Sequence, residues 1–150
     1  MADPREMILS RLVVVIEGVL GSANVSRNEV YGDDATPTPR TVSVLEGDEL
    51  AAGEEGTNRA PGAAGGLINM QPQVLLSNFD KTDDVGGGLN EARAAIIKAV
   101  TADTDLKALT HRGFGGRYLG MESDLAMARD ALGRMALKFN FTYSLVPSEL

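Results

Sequence analysis

The clearest hydrophobic pattern in the chain lies near its end, from Met135 to Leu145. Over these eleven residues, large apolar side chains alternate with small or polar ones. Side chains of a β-strand point alternately to the two faces of a sheet, so this period of two predicts a strand with one buried and one solvated face. Such a strand is longer than the usual length of about five or six residues, and it raises the question of what covers its edge. We expect its apolar side to form the centre of the core: Met135, Leu137, Phe139, Phe141, Tyr143 and Leu145.

Two longer helices and one short helical turn are predicted from apolar positions spaced three to four residues apart. The first helix runs from about Asp3, a good capping residue, to Leu20, and Pro4 suits its first turn. Its apolar residues cover more than one stripe, which indicates deep burial or contact with a second subunit. The second helix begins at Val85 or Leu89 and ends near Ala102, and a helical turn follows from Asp103 to Leu109.

Four further strands are predicted with less regular patterns. The first two, about Asn24 to Tyr31 and about Arg40 to Glu46, flank a connection rich in Gly, Asp, Thr and Pro, which indicates a hairpin with a loose tip. In the third strand, Leu67 to Phe79, Pro72 cannot donate a hydrogen bond to a neighbour and so marks an edge, a bulge or a bend. Arg117 to Met121 is predicted as a strand, and Ser123 to Leu132 as a short helix or a loop.

The order of helix, strands, helix and strands predicts an α+β fold: a two-layer sandwich with a mostly antiparallel sheet and two main helices packed on one face. A length of 150 residues fits a single domain. Within it, residues 47–66 contain mainly Gly, Ala and acidic residues, with almost nothing to bury. A connection of that length in a compact domain is typically either disordered or a binding element.

Composition narrows the possible functions. The net charge of −7 and the scattering of the 14 basic residues argue against a nucleic-acid-binding face, which needs clustered Lys and Arg. With no cysteine there is neither a disulfide framework nor a thiolate metal site. Asp3 and Glu6 stand where a signal peptide would be basic, and the apolar run Leu12 to Ile16 is far shorter than the ~20 residues of a membrane span. We therefore expect a soluble protein that does not enter a membrane.

No motif points to catalysis. Gly86-Gly87-Gly88 precede a helix as in a phosphate-binding loop, but the lysine and the Ser/Thr of such a loop are missing. The acidic residues between positions 33 and 55 lack the spacing of a calcium-binding EF-hand. His111 is the only histidine, and no Gly-x-Ser-x-Gly motif accompanies it. Glycoside hydrolysis by a pair of carboxylates stays an open alternative from the sequence. A chain with one His, no Cys and no Trp is nevertheless poorly equipped for catalysis. We predict a protein that is not an enzyme and that uses no cofactor or metal.

Several segments, in their order along the chain, carry a resemblance to one family. They are Asp3-Pro4-Arg5-Glu6 at the start of the first helix, Leu45-Glu46-Gly47-Asp48-Glu49, Met70-Gln71-Pro72, Leu89-Asn90-Glu91-Ala92-Arg93, Arg117-Tyr118-Leu119-Gly120 and the last strand. In this order the chain resembles the tail terminator (tail completion) proteins of tailed bacteriophages and of related prophage elements. The similarity spans most of the chain, and no single residue of it is diagnostic.

The resemblance implies a small α+β protomer whose six copies form a ring at the head-proximal end of the tail tube. The ring would end tube polymerisation and join the tail to the head. The implied partners are the chain itself as a homo-hexamer, the tail tube protein, a neck or head-completion protein and, in a contractile tail, the sheath. DNA would pass through the lumen without specific binding, which the acidic net charge favours. The implied location is the tail and neck of the virion, after assembly in the host bacterial cytoplasm, and no catalytic residue or cofactor is implied.

Candidate interface residues lie in the long loop and on the polar side of the last strand. They are Asp48, Glu49, Glu54, Glu55, Arg59, Lys138 and Asn140. Three alternatives stay open from the sequence: another neck protein of the head-closure or stopper type, a soluble ligand-binding α+β domain, and an enzyme of unrecognised type.

Overall fold

A five-stranded sheet with helices on one side organises the described part of the chain. The computed structural model describes residues 3–21, 25–27, 41–52, 62, 65–79, 85–123 and 133–150. The helices and strands, in chain order, are α1 Pro4–Leu20, β1 Val25–Arg27, β2 Thr41–Ala51, β3 Gly66–Phe79, α2 Val85–Ala102, α3 Thr104–Leu109, β4 Arg117–Ser123 and β5 Gly133–Leu145. Short 3-10 turns lie at His111–Gly113 and Pro147–Glu149.

The strands follow the order β1-β2-β3-β5-β4 across the sheet. The pairs β2–β3, β3–β5 and β5–β4 are antiparallel, whereas β1 runs parallel to β2. α1 and α2 pack against the side of the sheet that carries the buried apolar residues. The predicted fold class, an α+β two-layer sandwich with a mostly antiparallel sheet and helices on one face, is therefore confirmed.

The predicted last strand is present as β5 and buries the face expected from its pattern. Phe139 and Phe141 are fully buried, and Tyr143 is 1% exposed. The Phe139 ring also packs against Tyr118, with 5.7 Å between the ring centroids. β5 has no open edge, because β3 pairs with one of its sides and β4 with the other. The question of an uncovered edge therefore moves to β4 and to the outer side of β2.

Each of the two longer helices buries apolar residues spaced three to four positions apart, as predicted for amphipathic helices. Asp3 caps α1 by accepting a hydrogen bond from the backbone N–H of Arg5 at 3.0 Å. The opposite side of α1 leaves Met7 42% and Val14 50% exposed, so this helix is not buried around its whole circumference. The buried residues are Ile8, Leu9, Leu12 and Ile16 on α1, and Leu89, Ala92, Ile96 and Val100 on α2.

An ion pair fixes α3 to α1. Asp103 caps α3 by accepting a hydrogen bond from the backbone N–H of Leu106 at 2.9 Å. Both oxygens of the same carboxylate accept hydrogen bonds from Arg11, at 2.7 and 3.0 Å. The Arg11 guanidinium holds the pKa of Asp103 below its usual range. Asp103 therefore serves at once as a helix cap and as the link between the two helices.

β2 contains a bulge opposite Pro72, which lies in the interior strand β3. β2 gains one residue relative to β3 between its pairs at Leu45 and Asp48, so two residues of β2 face one of β3. Gly47 in this bulge has a φ of +68°, and a Cβ there would lie 1.9 Å from the carbonyl oxygen of Gln71. Only glycine fits such a position. Of the three possibilities predicted for Pro72, an edge is wrong because β3 is an interior strand, and the bulge that is present belongs to the neighbouring strand β2.

The predicted hairpin between the first two strands is wrong. β1 runs parallel to β2, and a short hairpin turn connects only antiparallel strands. A connection rich in Gly, Asp and Pro indicates turns, but it does not fix the direction in which the chain returns. β2 also extends to Ala51, so Gly47 to Ala51 belong to a strand and not to the predicted loop.

Some predicted segments lie outside the described residues. They are most of the predicted first strand, the connection after it, most of the loop 47–66, and residues 124–132 of the predicted short helix or loop.

We expect Phe139→Ala to lower the free energy of unfolding by about 3–5 kcal/mol, because the ring is fully buried and its removal leaves a cavity. Urea unfolding followed by circular dichroism measures this change. Ser144→Ala, at an exposed position of the same strand, is the control and should change the free energy by less than about 0.5 kcal/mol. A cost below about 1 kcal/mol for Phe139→Ala would show that the faces of β5 are assigned wrongly.

We expect Gly47→Ala to destabilise the protein by at least about 1–3 kcal/mol, because the new Cβ would collide with the β3 backbone at a positive φ. Gly18→Ala is a matched control. Gly18 lies on α1 with nothing within 4 Å of a Cβ, so alanine there should raise stability by up to about 1 kcal/mol. Thermal unfolding of the two variants should therefore shift in opposite directions. Equal shifts would contradict the bulge.

Candidate assembly surface

Arg5 ties the start of α1 to the bulge in β2. Its Nη2 donates hydrogen bonds to the backbone carbonyls of Glu46 at 3.3 Å and Gly47 at 3.1 Å. Its Nη1 lies 3.6 Å from the carboxylate of Glu49. The bulge turns these carbonyls toward α1, so one guanidinium connects the helix to the irregular part of the strand.

Glu49, one of the predicted interface residues, faces the helices. It pairs with Met70, whose side chain is buried on the helix side of the sheet. The Tyr143 hydroxyl donates a hydrogen bond to the Glu49 carboxylate. The pKa of Tyr143 is raised far above its ordinary value. Burial is the larger cause, and the hydrogen bond to Glu49 is the second. Glu49 thus has partners within the protomer, and a role for it at an interface stays a prediction.

Arg27 docks β1 on the first turn of α1. Its two terminal nitrogens donate to the two carboxylate oxygens of Glu6, at 2.7 and 2.8 Å, and Nη2 lies 3.4 Å from the Glu46 carboxylate. Hydrogen bonds from Arg27, and then from Ser10, lower the pKa of Glu6 to about 2. The same hydrogen bond raises the pKa of Arg27. A bidentate pair of this kind is directional, so it helps to fix the short strand β1 beside β2.

The sheet has a polar face that points away from the helices, defined here by Asp48, Gln71, Lys138 and Asn140. Lys138 and Asn140 alternate with the buried residues of β5, and Asp48 pairs with Gln71 of β3. The Lys138 ammonium donates to Glu122 at 2.8 Å, which lowers the pKa of the Glu122 carboxyl. Near the centre of the same face, the Thr142 hydroxyl donates a hydrogen bond to the side-chain oxygen of Asn69.

The seven predicted interface residues separate into three groups. Asp48, Lys138 and Asn140 share the polar face, and Glu49 lies on the helix side. Glu54, Glu55 and Arg59 lie outside the described residues. Their part in assembly stays a prediction.

The sequence did not single out a second surface, a cationic corner formed by Arg112, Phe114 and Arg117 where β4 begins. The guanidinium carbon of Arg117 lies 4.6 Å from the centroid of the Phe114 ring, a cation–π distance. Phe114 is 49% exposed, and Leu119 on β4 is 53% exposed. The sequence contains one indication of this corner, an uneven distribution of charge. The sequence from Leu106 to Met121 contains no acidic residue, but it contains Lys107, His111, Arg112 and Arg117.

The described residues contain no group of three or more His, Cys, Asp or Glu side chains that could hold a metal ion. Among the helices of the same residues, none is long and apolar enough to cross a membrane.

Comparison with known proteins finds similarity only at the level of structure. No protein-family model matches the sequence, and no curated protein matches it. A chain from a solved structure described as the virion of a native gene transfer agent particle is similar over 94% of both chains, with 17% sequence identity and a TM-score of 0.53. This chain therefore has the fold of a chain found in that particle.

A second similar structure is described as the sheath/tube terminator, in the extended state, of an extracellular contractile injection system. The similarity covers 92% of this chain and 56% of that one, with 10% identity and a TM-score of 0.44. A similarity that low supports no conclusion.

We expect the ion pair between Glu6 and Arg27 to stabilise the protein above about pH 5 and to be lost toward about pH 2. The pKa of Glu6 is about 2 in the folded protein and 4.5 ordinarily, so the unfolded chain takes up the proton first as the pH falls. Glu6→Gln should therefore be less stable than the wild type near neutral pH and approach it in acid. Urea unfolding of both proteins at several pH values measures this difference in stability.

The control for this experiment is Glu91→Gln, on the exposed side of α2. Its stability difference from the wild type should not depend on pH in the same way. A difference between the wild type and Glu6→Gln that stays constant from neutral pH to acid would contradict the stabilising role of the pair.

Proposed function

We propose that this chain is a tail terminator protein, a structural component of a phage-like virion. In this role six copies form a ring on the head-proximal end of the tail tube, end tube polymerisation and join the tail to the head and neck. The observation that carries the proposal is the fold that the chain shares, over 94% of both chains, with a chain of a gene transfer agent virion. The motif resemblance on α1, β2, β3, α2, β4 and β5 supports the same role.

The arrangement of the surface supports a role in assembly. A subunit of a closed ring needs two different contact surfaces, one for each neighbour, because head-to-tail contacts are not self-complementary. A terminator also needs surfaces for the tube below it and for the neck above it. The described residues offer several candidates on different sides: the exposed side of α1 with Val14, the polar face and the cationic corner.

The partners follow from this role. They are further copies of the chain, the tail tube protein, a neck or head-completion protein and, in a contractile tail, the sheath. The net charge of −7 would disfavour tight binding of DNA that passes through the ring. The role is structural and not catalytic, and the protein would act in the tail and neck of the particle after assembly in the host cytoplasm.

Solution mass and tube length test the proposal together. We expect native mass spectrometry, with the purified protein alone or mixed with its tail tube protein, to detect an assembly of six times the protomer mass of 15.8 kDa. Tube polymerisation with increasing amounts of the protein should give shorter tubes, measured by electron microscopy. An unrelated acidic protein of the same size is the control and should leave tube length unchanged.

Two results would contradict the proposal. A strict monomer in every mixture would exclude the ring. Binding to a portal-side protein, with no binding to the tube and no effect on tube length, would indicate a stopper protein instead.

A further inference from the structure

Both lateral edges of the sheet include strand backbone that no other described strand pairs with. Among the described residues, β4 pairs with β5 on one side and with no strand on the other. On the other side of the sheet, β1 covers β2 only opposite Val42, Ser43 and Val44. Among the described residues, no strand pairs with the outer side of β2 from Asp48 to Ala51. Open strand edges are sites where a second chain can add to a sheet.

The two edges carry opposite charge. The β2 edge is acidic. Its described residues, which lie on the first turn of α1, on β1 and on β2, include two guanidiniums, Arg5 and Arg27. They also include five carboxylates: Asp3, Glu6, Glu46, Asp48 and Glu49. Asp48 is exposed and forms no salt bridge with any described residue. At the other edge, the cationic corner lies in a stretch without an acidic residue.

Acidic residues next to this stretch are already engaged. Asp105 on α3 lies 3.2 Å from the Arg11 guanidinium, and Glu122 on β4 pairs with Lys138 at 2.8 Å. Arg117 itself is exposed and faces the Phe114 ring. Among the described residues, no carboxylate forms a salt bridge with Arg117 and no cation forms one with Asp48, so within this part of the chain both charges can face a neighbour.

Asp48 and Arg117 lie on the same face and in the same row of the sheet. Asp48 pairs with Gln71 of β3, and Arg117 pairs with Asn140 of β5. In the register between β3 and β5, Met70 pairs with Phe141 and Gln73 with Lys138, which puts Gln71 level with Asn140. The two charges therefore occupy the two ends of one row on the polar face. Copies placed side by side in the same orientation would bring them together without a shift in register.

Strand direction adds an apolar contact to this pair. Successive antiparallel pairings make β4 run opposite to β2, so β4 of one copy would be antiparallel to β2 of the next. The residues before Arg117 would then lie beside those that follow Asp48. This places Phe114, 49% exposed, near Leu50, 67% exposed. An apolar contact beside a complementary charge pair is a common composition for a protein interface.

We propose that neighbouring copies of this chain meet through these two edges, with the cationic corner and β4 of one copy against the outer edge of β2 of the next. Arg117 pairs with the next copy's Asp48, and Phe114 contacts the next copy's Leu50. The contact is head to tail, so each copy uses one edge for each neighbour and the chain of contacts can close into a ring. This interface rests on the ring of the proposed function and names the surfaces that build it.

Charge reversal tests the pairing. Arg117→Glu and Asp48→Arg should each raise the protein concentration at half-assembly by about tenfold or more, because like charges then meet at the interface. The double variant restores opposite charges and should return assembly toward the wild type. Lys98→Glu changes the same charge at an exposed position of α2 and should have no such effect. Sedimentation velocity, with the tail tube protein present if the wild type needs it, measures assembly, and thermal unfolding checks that each variant is folded.

Cysteine crosslinking tests the contact without relying on charge. The natural chain contains no cysteine, so Phe114→Cys combined with Leu50→Cys introduces the only two thiols. Mild oxidation of the assembled double variant should give a ladder of covalent multimers that ends at six subunits on a denaturing gel. Neither single variant should give a ladder, because a head-to-tail contact does not bring two copies of the same residue together.

The outcomes separate this interface from the proposed function. A wild-type ring that is unaffected by both charge reversals, or that loses assembly in both without recovery in the double variant, would overturn the interface and leave the terminator role standing. A ring whose double-cysteine variant gives no ladder would do the same. A wild type that stays monomeric, alone and with tail tube protein, would overturn both.

Discussion

The packing of the apolar side of β5 beneath α1 and α2 is the interaction on which the rest of the structure depends. β5 lies between β3 and β4, so its position sets the register of both neighbours. Because its side chains alternate with a period of two, a slip of one residue would turn Phe139 and Phe141 toward water. The same alternation presents Lys138 and Asn140 on the opposite side. The core and the polar face are thus two consequences of one pattern in the sequence.

The bulge at Gly47 is the second constraint, and it decides which acidic residue faces outward. Before the bulge, Val42 and Val44 lie on the helix side of β2. A regular strand would continue this alternation and turn Asp48 toward the helices. The extra residue reverses the alternation, so Asp48 joins the polar face and Glu49 turns inward to Tyr143 and Arg5. The carbonyl of Gln71 points toward β2 at Gly47, so the nitrogen of Pro72 in the same trans peptide points toward β5 and takes nothing from the pairing with β2.

Local patterns in the sequence were enough to predict the helices, the strands β3 and β5, and the faces they bury, but not the second half of β2. The period of two in β5 and the spacing of Leu89, Ile96 and Val100 in α2 depend only on neighbouring residues, and both patterns match the observed burial. The parallel direction of β1 could not be predicted in this way, because it depends on where the chain returns after its turn. One contact that holds β1 in this direction is the ion pair between Arg27 and Glu6. These residues are 21 positions apart, so no local pattern reveals the contact.

The candidate surfaces also depend on contacts between residues that are far apart in the sequence. Arg11 and Asp103, and Arg5 and Gly47, meet only after the helices have docked on the sheet, so no spacing in the sequence reveals them. The alternation in β5 predicted a polar face with Lys138 and Asn140, and both residues lie on it. The cationic corner was missed because Phe114 lies before β4 and Arg117 is the first residue of that strand, where no periodicity marks an exposed side chain. The charge asymmetry of that stretch was the available signal.

The central claim is that this chain closes the end of a tail tube as a ring of six copies. Cryo-electron microscopy of tubes polymerised with the purified protein tests it most directly, by the position and symmetry of the added density. We expect one six-fold ring at one end of each tube, with β4 of each subunit facing β2 of the next. Density distributed along the tube wall, or tube ends that carry no added ring, would contradict the claim.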